Sequence, residues 1–300
     1  MAAYSFTTWT PNAEHPKTLD EQSEDEIEDE SIWTPLQLAS AEGNLRAVRD
    51  LLHDGAHVNA IPTSWYGKTA LQAAALNGHL QVVETLLAGG ANVNAPGGNN
   101  GGRTALSLAS GQGRINIVRR LLTAGAYLNP PIARYYGFTP LQAAAGGGHT
   151  HIIQVLLDHG AEINALPAHN SGRSALAAAA EGQLAEAVKL LLDRGADVNG
   201  PICKYKGLSA VQAAATAGNV PLVTLLLDAG AEIDAAGSYY HGTTALYAAA
   251  QAGHHEVVQI LLQAGADPMQ TSGDKGWLPI HAARHNGHDH IVRLLCGNQM

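Results

Sequence analysis

One apolar position returns along this chain at nearly constant intervals. Successive members lie 35 residues apart six times and then 34 residues apart. They are Leu36, Leu71, Leu106, Leu141, Leu176, Val211, Leu246 and Ile280. A period of this length is typical of stacked repeats, each of which buries its apolar face only against its neighbours. The sequence therefore predicts one array of eight repeats with a continuous core, and not the two globular domains that its length would suggest.

Each repeat contains two short apolar runs with helical spacing. In the second repeat they occupy residues 71–75, which are mostly alanine, and residues 80–87. Thr69 precedes the first run, where its hydroxyl can cap a helix, and Gly78 follows it, where a left-handed conformation suits glycine. Gly, Pro and Asn residues follow the second run and indicate a loop. We therefore expect two antiparallel helices and a projecting loop in each repeat.

The repeats are not equivalent. The first helix begins with Leu or Val followed by Gln-Ala-Ala-Ala in repeats two, four and six, at residues 71–75, 141–145 and 211–215. This pattern indicates duplication of a two-repeat block. Repeat five has Gln183 where the others have the helix-ending glycine, and Gly182 comes one residue earlier. We expect a local irregularity at that junction.

Two motifs connect these repeats with a known family. The helix opening reads Trp-Thr-Pro-Leu-Gln at residues 33–37 and Phe-Thr-Pro-Leu-Gln at residues 138–142, and residues 191–199 read Leu-Leu-Asp-Arg-Gly-Ala-Asp-Val-Asn. They resemble the Thr-Pro-Leu-His-x-Ala opening and the Leu-Leu-x-x-Gly-Ala-x-Val-Asn ending of ankyrin repeats, and the loop composition resembles ankyrin arrays of filamentous fungi. Over residues 31–300 the resemblance implies an all-α ankyrin-repeat solenoid of helix-turn-helix repeats with projecting, hairpin-like loops, the last repeat lacking its loop.

Residues 1–30 form a separate acidic segment. They contain nine acidic side chains and one lysine, and eight of the carboxylates lie within residues 20–30. Charge this dense predicts a disordered tail, because like charges repel and nothing apolar is available to bury. The tail is either a solubilising leader or a regulatory segment, since Ser23 precedes three acidic residues and is a phosphorylation candidate. Phosphopeptide mass spectrometry of the native protein tests that candidate.

Composition excludes several classes of protein. Without the tail, 17 acidic and 16 basic residues remain, which leaves no basic footprint for nucleic acid. Cys203 and Cys296 are far apart in sequence and predict neither a disulfide framework nor a metal pair. No stretch is long and apolar enough to span a membrane, and the N-terminus lacks a signal peptide. We therefore expect a monomer in the cytoplasm or the nucleus that is not secreted.

Side chains that vary at fixed positions of the repeat are the candidate partner-binding residues. Aromatic residues occur in several loops, and Tyr and Trp are favoured at interfaces; alternatively, these rings pack along the loops and stabilise them. A second variable position directly precedes the helix opening, and the family resemblance implies that it faces a concave surface. The loop residues are Trp65, Tyr66, Tyr135, Tyr136, Tyr205 and Tyr240, and the pre-helix residues are Lys68, Arg103, Phe138, Arg173 and Trp277, with Leu208 at the same position.

Patterns that suggest chemistry have simpler explanations in the repeat. Gly-Lys-Thr at residues 67–69 resembles the end of a phosphate-binding loop, but Pro62 stands where that motif has its first glycine. His281 and His285 have a spacing that suits a metal, but no third ligand accompanies them. Gly-His pairs such as Gly78-His79 begin second helices, and we expect these histidines to form hydrogen bonds between repeats. We therefore predict no catalytic residue, no metal site and no cofactor.

The predicted function is a non-catalytic scaffold for protein–protein interaction. The partner would bind to the concave face and to the loop tips of the array. A regulatory adaptor, such as a transcription co-regulator that uses the acidic tail, is the alternative. Its weakness is that the tail lacks interleaved aromatic residues.

Overall fold

The computed structural model describes residues 33–62, 67–97, 103–131, 137–238, 242–272 and 276–297. Within these ranges it contains sixteen α-helices and no β-strand apart from two isolated β-bridges. The helices are α1 Pro35–Glu42, α2 Leu45–His53, α3 Ala70–Asn77, α4 Leu80–Ala88, α5 Ala105–Gly111, α6 Ile115–Thr123, α7 Pro140–Gly146, α8 Thr150–Asp158, α9 Ala175–Glu181, α10 Ala185–Asp193, α11 Ala210–Thr216, α12 Val220–Asp228, α13 Ala245–Ala252, α14 His255–Gln263, α15 Pro279–His285 and α16 Asp289–Gly297. This order confirms the predicted two helices in each of eight repeats. None of the helices in the described ranges has the length and apolarity to span a membrane.

The chain divides into two compact units. The first unit comprises residues 1–100 and 104–126 and carries α1–α6, which are the helices of three repeats. The second comprises residues 101–103 and 127–300 and carries α7–α16, which are the helices of five repeats. In both units, the first helix of a repeat packs on its own second helix and on the first helices of adjacent repeats.

First helices begin at a hydroxyl cap in seven of the eight repeats. Thr139 Oγ1 accepts a 3.1 Å hydrogen bond from Gln142 N, and the predicted cap at Thr69 is confirmed by a bond from Gln72 N. Such a cap stabilises a helix by about 1 kcal/mol. The seven caps are Thr34, Thr69, Thr104, Thr139, Ser174, Ser209 and Thr244. In repeat eight Leu278 takes the position, and its N–H donates to His281 Nδ1 at 3.3 Å.

The core consists of alanine in the first helices and of larger aliphatic residues in the second. In repeat four, Ala144 and Ala145 are fully buried, as are Ile153 and Leu156. Each fully buried large aliphatic side chain contributes roughly 1.5–3 kcal/mol relative to exposure. Because alanine is short, neighbouring first helices pack more closely than neighbouring second helices do.

Hydrogen bonds between successive repeats also come from the predicted Gly-His pairs. His79 Nε2 donates to Ala41 O at 3.0 Å, and His254 Nε2 donates to Thr216 O at 3.0 Å. His288 makes the equivalent bond of 3.1 Å to the carbonyl of Gln251. The expected role of these histidines is confirmed.

The asparagine that ends many repeats forms a second set of such bonds. Asn164 Oδ1 accepts from Asp197 N at 2.9 Å, and Asn199 Oδ1 accepts from Glu232 N at 2.8 Å. The amide of Asn199 also donates to Gly230 O at 2.9 Å. Each of these side chains fixes the turn that follows the next second helix, from which the next loop departs.

The junction at Gln183 is regular, so the expected irregularity is wrong. Gln183 takes the left-handed conformation, with φ of 57°, that Gly148 and Gly218 take in the adjacent repeats. The same backbone bonds form around it, including Gln183 N to Ala180 O at 3.0 Å. A non-glycine residue in this conformation costs roughly 1–2 kcal/mol. Such a cost is small compared with the packing that a misaligned repeat would lose.

Candidate functional site

One position of the repeat lies at the start of the first helix, in each of the two units. We call it the front-edge column; its members directly precede the hydroxyl cap, or Leu278 in repeat eight, and they are Trp33, Lys68, Arg103, Phe138, Arg173, Leu208, Thr243 and Trp277. All are half-buried except Arg173, which is buried. In the first unit, Lys68 Nζ lies 5.8 Å from the centroid of the Trp33 ring. In the second unit, Arg103 Cζ lies 5.4 Å from the centroid of the Phe138 ring. In each unit, therefore, one cation lies close to an aromatic ring of an adjacent repeat.

Several predicted binding residues lie outside the described residues. The loop aromatics Trp65, Tyr66, Tyr135, Tyr136 and Tyr240 belong to this group. So does the acidic tail with Ser23. For all of them the sequence-based hypotheses remain predictions.

Arg173 is the buried member of an ion pair whose carboxylate, Glu181, is half-buried. It is 4% exposed, and its Nε and Nη2 donate to the two carboxylate oxygens of Glu181 at 2.9 and 3.1 Å. Its Nη1 donates to Ser171 O, to Gly172 O and, at 2.9 Å, to Lys206 O. The guanidinium thus joins two loops and one helix. Burial makes Arg173 unsuitable for the direct partner contact that the sequence suggested.

Two successive projecting loops of the second unit pair with each other. We call the loop between a second helix and the next first helix a finger; the two are residues 165–173 and residues 200–208. Asn170 and Tyr205 form a parallel β-bridge, in which Ser171 N donates to Tyr205 O at 3.0 Å. The Tyr205 ring lies 5.6 Å, between centroids, from the His169 ring. At this tyrosine the alternative hypothesis, that the rings pack along the loops, has direct geometric support.

A buried glutamine holds the base of several fingers. Gln142 Oε1 accepts from Thr139 N at 3.0 Å, and its Nε2 donates to Ala165 O at 3.1 Å. The residue is 1% exposed, so both bonds are sheltered from water. Equivalent pairs of bonds form at Gln37, Gln72 and Gln212. The sequence contained this signal as the recurring Leu-Gln dipeptide, but the acceptor 23 residues away was not predicted.

The eighth repeat presents an open cavity at the last member of the column. The cavity has a volume of about 460 Å³ and is lined by Gly276, Trp277, His281, Arg284 and His285. The Trp277 and His285 rings lie 5.1 Å apart between centroids. The other repeats have a buried Ala or Ser at the position of Arg284. An arginine there is expected for a terminal repeat with a polar outer face.

The described residues supply little support for metal chemistry. Among them, no three His, Cys, Asp or Glu side chains gather closely enough to hold a metal ion. His281 Nδ1 accepts a backbone hydrogen bond, and His285 Nδ1 contacts the side chain of Asn286 at 3.2 Å. Cys203 is buried and Cys296 is exposed, and both are free thiols. These side chains are better explained by the packing of their repeats.

Comparisons with known proteins agree with this architecture. A family model described as ankyrin repeats matches three segments, residues 36–132, 127–202 and 199–272, and a single ankyrin-repeat model matches residues 275–299. The crystal structure of the human ASB11 ankyrin repeat domain is 29% identical, with coverage of 79% of this chain and 100% of that chain and a TM-score of 0.63. No curated protein matches. In all, 619 chains of solved structures match, so the likeness identifies the fold without selecting a partner.

Proposed function

Because this chain belongs to the ankyrin-repeat family, we propose that it is a non-catalytic scaffold that binds a partner protein through its front-edge column and finger tips. Ankyrin repeats are generally protein–protein interaction modules, and their fold is a known non-enzymatic scaffold. The proposal assigns the partner to the first-helix side, which is the predicted concave face. It includes the predicted cytoplasmic or nuclear location and monomeric state.

The observation that carries this proposal is the composition of the front-edge column. The buried positions around it repeat almost unchanged, whereas the column changes from one repeat to the next. Its half-buried members include Trp33, Lys68, Phe138 and Trp277. Aromatic residues of this kind bind with large contact area and lose little conformational entropy. Side chains that differ between repeats, held on a constant scaffold, can select one partner among many.

The adaptor hypothesis adds a role for the acidic tail in transcription. No contact among the described residues favours it over a plain scaffold. We therefore retain the scaffold as the proposed function.

Affinity capture with matched variants of the full chain tests the proposal. The front-edge variant replaces Lys68, Phe138, Leu208 and Trp277 with serine. The control variant replaces four exposed second-helix residues with serine, and these are Arg49, Arg119, Lys189 and Arg293. Circular dichroism first establishes that both variants keep the helix content of the native chain.

The expected result is a partner that the native chain and the control variant retain and that the front-edge variant loses. A hot-spot contact is worth at least about 2 kcal/mol, so loss of several should abolish capture. If the control variant loses the partner and the front-edge variant retains it, the second-helix side is the binding surface and the proposal is wrong.

A further inference from the structure

The charged side chains of the second unit are divided unevenly between its two sides. Among its described residues, the second helices and the turns after them carry eleven carboxylates and three cations. The fingers and first helices carry one carboxylate, Glu181, and five cations, namely Arg103, Arg173, Lys204, Lys206 and Arg284. The described part of the second unit therefore has one positive side and one negative side. A positive side attracts and orients an anionic partner.

Two of these cations flank an aromatic ring at the tip of one finger. Lys204 and Lys206 are exposed, and Tyr205 between them is half-buried. Lys204 Nζ lies 5.8 Å from the centroid of the Tyr205 ring. Arg173 of the same finger pair is buried and is paired with Glu181. The two lysines therefore provide the exposed positive charge of this finger pair.

The backbone of this tip is held before any partner arrives. Tyr205 O accepts from Ser171 N and from the Cys203 thiol, each at 3.0 Å. Lys206 O accepts from Arg173 Nη1 at 2.9 Å. A tip that is already fixed loses less conformational entropy on binding than a mobile loop does.

The backbone conformation of Lys206 also indicates that its side chain has a role. Its φ is 53°, in the left-handed region that glycine or asparagine adopts at lower cost. Lysine is thus an unfavourable choice for the turn itself. A role for the ammonium group outside the protein accounts for a residue that the backbone does not require.

We propose that the tip formed by Lys204, Tyr205 and Lys206 binds a carboxylate-rich linear segment of the partner protein, an inference that rests on the proposed function. The two ammonium groups would pair with carboxylates, and the tyrosine ring would cover the aliphatic part of the segment between them. Nucleic acid suits the surface less well. Neutralising a phosphate backbone requires a broad basic face, and this unit has more carboxylates than cations.

Binding of a synthetic peptide to the full chain tests this proposal. The probe has the sequence of residues 20–30, with eight carboxylates in eleven positions, and the control peptide carries Gln and Asn in place of Glu and Asp. We expect the acidic probe to bind and the control peptide not to bind. Exposed charges are screened beyond about 10 Å at 0.1 M salt, so affinity should fall as salt rises.

Matched charge variants locate the site. Lys204→Glu with Lys206→Glu should weaken binding at least about tenfold, a factor that corresponds to 1.4 kcal/mol. Lys204→Arg with Lys206→Arg should preserve binding, because it preserves both charges. Lys189→Glu with Arg293→Glu, on the second-helix side, should have little effect. Equal loss in the two Glu variants would overturn the assignment to the tip.

Two other occupants are outcomes of the same experiment. Equal or tighter binding of a single-stranded oligonucleotide with the same number of charges would overturn the choice of a protein segment. The second outcome uses a receptor in which the carboxylates of residues 20–30 are neutralised. If the probe binds only to this receptor, the chain's own tail occupies the tip, and the proposal of a partner segment is wrong.

Failure here can be separated from failure of the proposed function. If the peptide does not bind but the front-edge variant still loses its partner, the scaffold proposal stands and the acidic-segment proposal is wrong. If the peptide binds at the tip but the front-edge variant keeps its partner, the acidic-segment proposal is supported. The front-edge column is then not the surface that binds the partner.

Discussion

Repeats four and six hold the fingers that follow them with a buried glutamine, whereas repeat five uses an ion pair with a buried arginine. Gln142 and Gln212 donate to Ala165 O and Ala235 O, at the bases of their fingers. Repeat five has Ala177 at the equivalent position. There Arg173, paired with Glu181, donates to Lys206 O instead.

The comparison indicates that a front-edge residue can either anchor a finger or contact a partner. Where glutamine anchors the finger, the column residues Phe138 and Leu208 remain half-buried and can vary. In repeat five, which lacks the glutamine, the column residue Arg173 is buried and occupied, whereas Arg103 and Thr243 of other repeats without it remain half-buried. A column residue that itself anchors a finger, as Arg173 does, is therefore not available to a partner.

Removing the carboxylate of the Arg173–Glu181 pair should have the largest effect. Glu181→Ala removes the carboxylate, at 26% side-chain exposure, that pairs with the Arg173 guanidinium at 5% side-chain exposure. Loss of one partner of a buried pair costs about 3 kcal/mol. The free energy of unfolding, measured in urea, should fall by about that amount. The Ser171 amide, which donates to Tyr205 O in the same finger pair, should exchange faster with deuterium.

The control is an exposed ion pair of the same unit. Arg194 Nη1 lies 3.0 Å from Asp158 Oδ1, at side-chain exposures of 38% and 62%. Asp158→Ala should change stability by less than about 1 kcal/mol. If the two variants lose equal stability, the pair in repeat five is not an anchor and the comparison fails.

Removing a glutamine anchor should have the next largest effect. Gln142→Met keeps the side-chain length but removes the acceptor for Thr139 N and the donor to Ala165 O. Leaving such buried groups without a partner costs about 2 kcal/mol. Thermal and urea unfolding should both reveal the loss. Gln263→Met, at an exposed position, is the control, and an equal effect there would refute the role of the amide.

Substitutions at the left-handed position after the first helix should have the smallest effect on stability. The change should be stabilising at Gln183 and destabilising at Gly148. Gln183→Gly should stabilise the protein by about 1 kcal/mol, because it removes a side chain from a left-handed conformation. Gly148→Ala should destabilise it, since the added Cβ would lie 2.8 Å from Leu184 Cδ2 at a φ of +70°. Differential scanning calorimetry of both variants measures the two signs. A decrease in stability for Gln183→Gly would show that its side chain makes a compensating contact.

Local features of the fold could be predicted from the sequence because their causes are local. Thr69 and Gly78 lie next to the helix that they bound, and the apolar spacing fixes each helix independently of its neighbours. The junction at Gln183 was judged by its missing glycine alone, without the packing that outweighs a small backbone cost.

The contacts of the candidate site could not be predicted in the same way. Arg173 and Glu181 are eight residues apart, and they meet only because the finger turns back onto the end of α9. Gln142 and its acceptor at Ala165 are 23 residues apart and belong to successive repeats. The repeated glutamine was visible in the sequence, but its partner is a backbone carbonyl, which has no signature in sequence.

The alternation of glutamine anchors from repeat two to repeat seven also bears on how such a gene can change in length. Each anchor supports a finger that belongs to the following repeat, as Gln142 supports Ala165. Within repeats two to seven, unequal recombination that adds or removes two repeats, 70 residues by the period of the array, keeps Gln72, Gln142 and Gln212 opposite fingers of the same type. A change of one repeat exchanges glutamine for Ala177 or its counterparts and leaves a finger base without its donor. We therefore expect arrays related to this one to differ in length by even numbers of repeats.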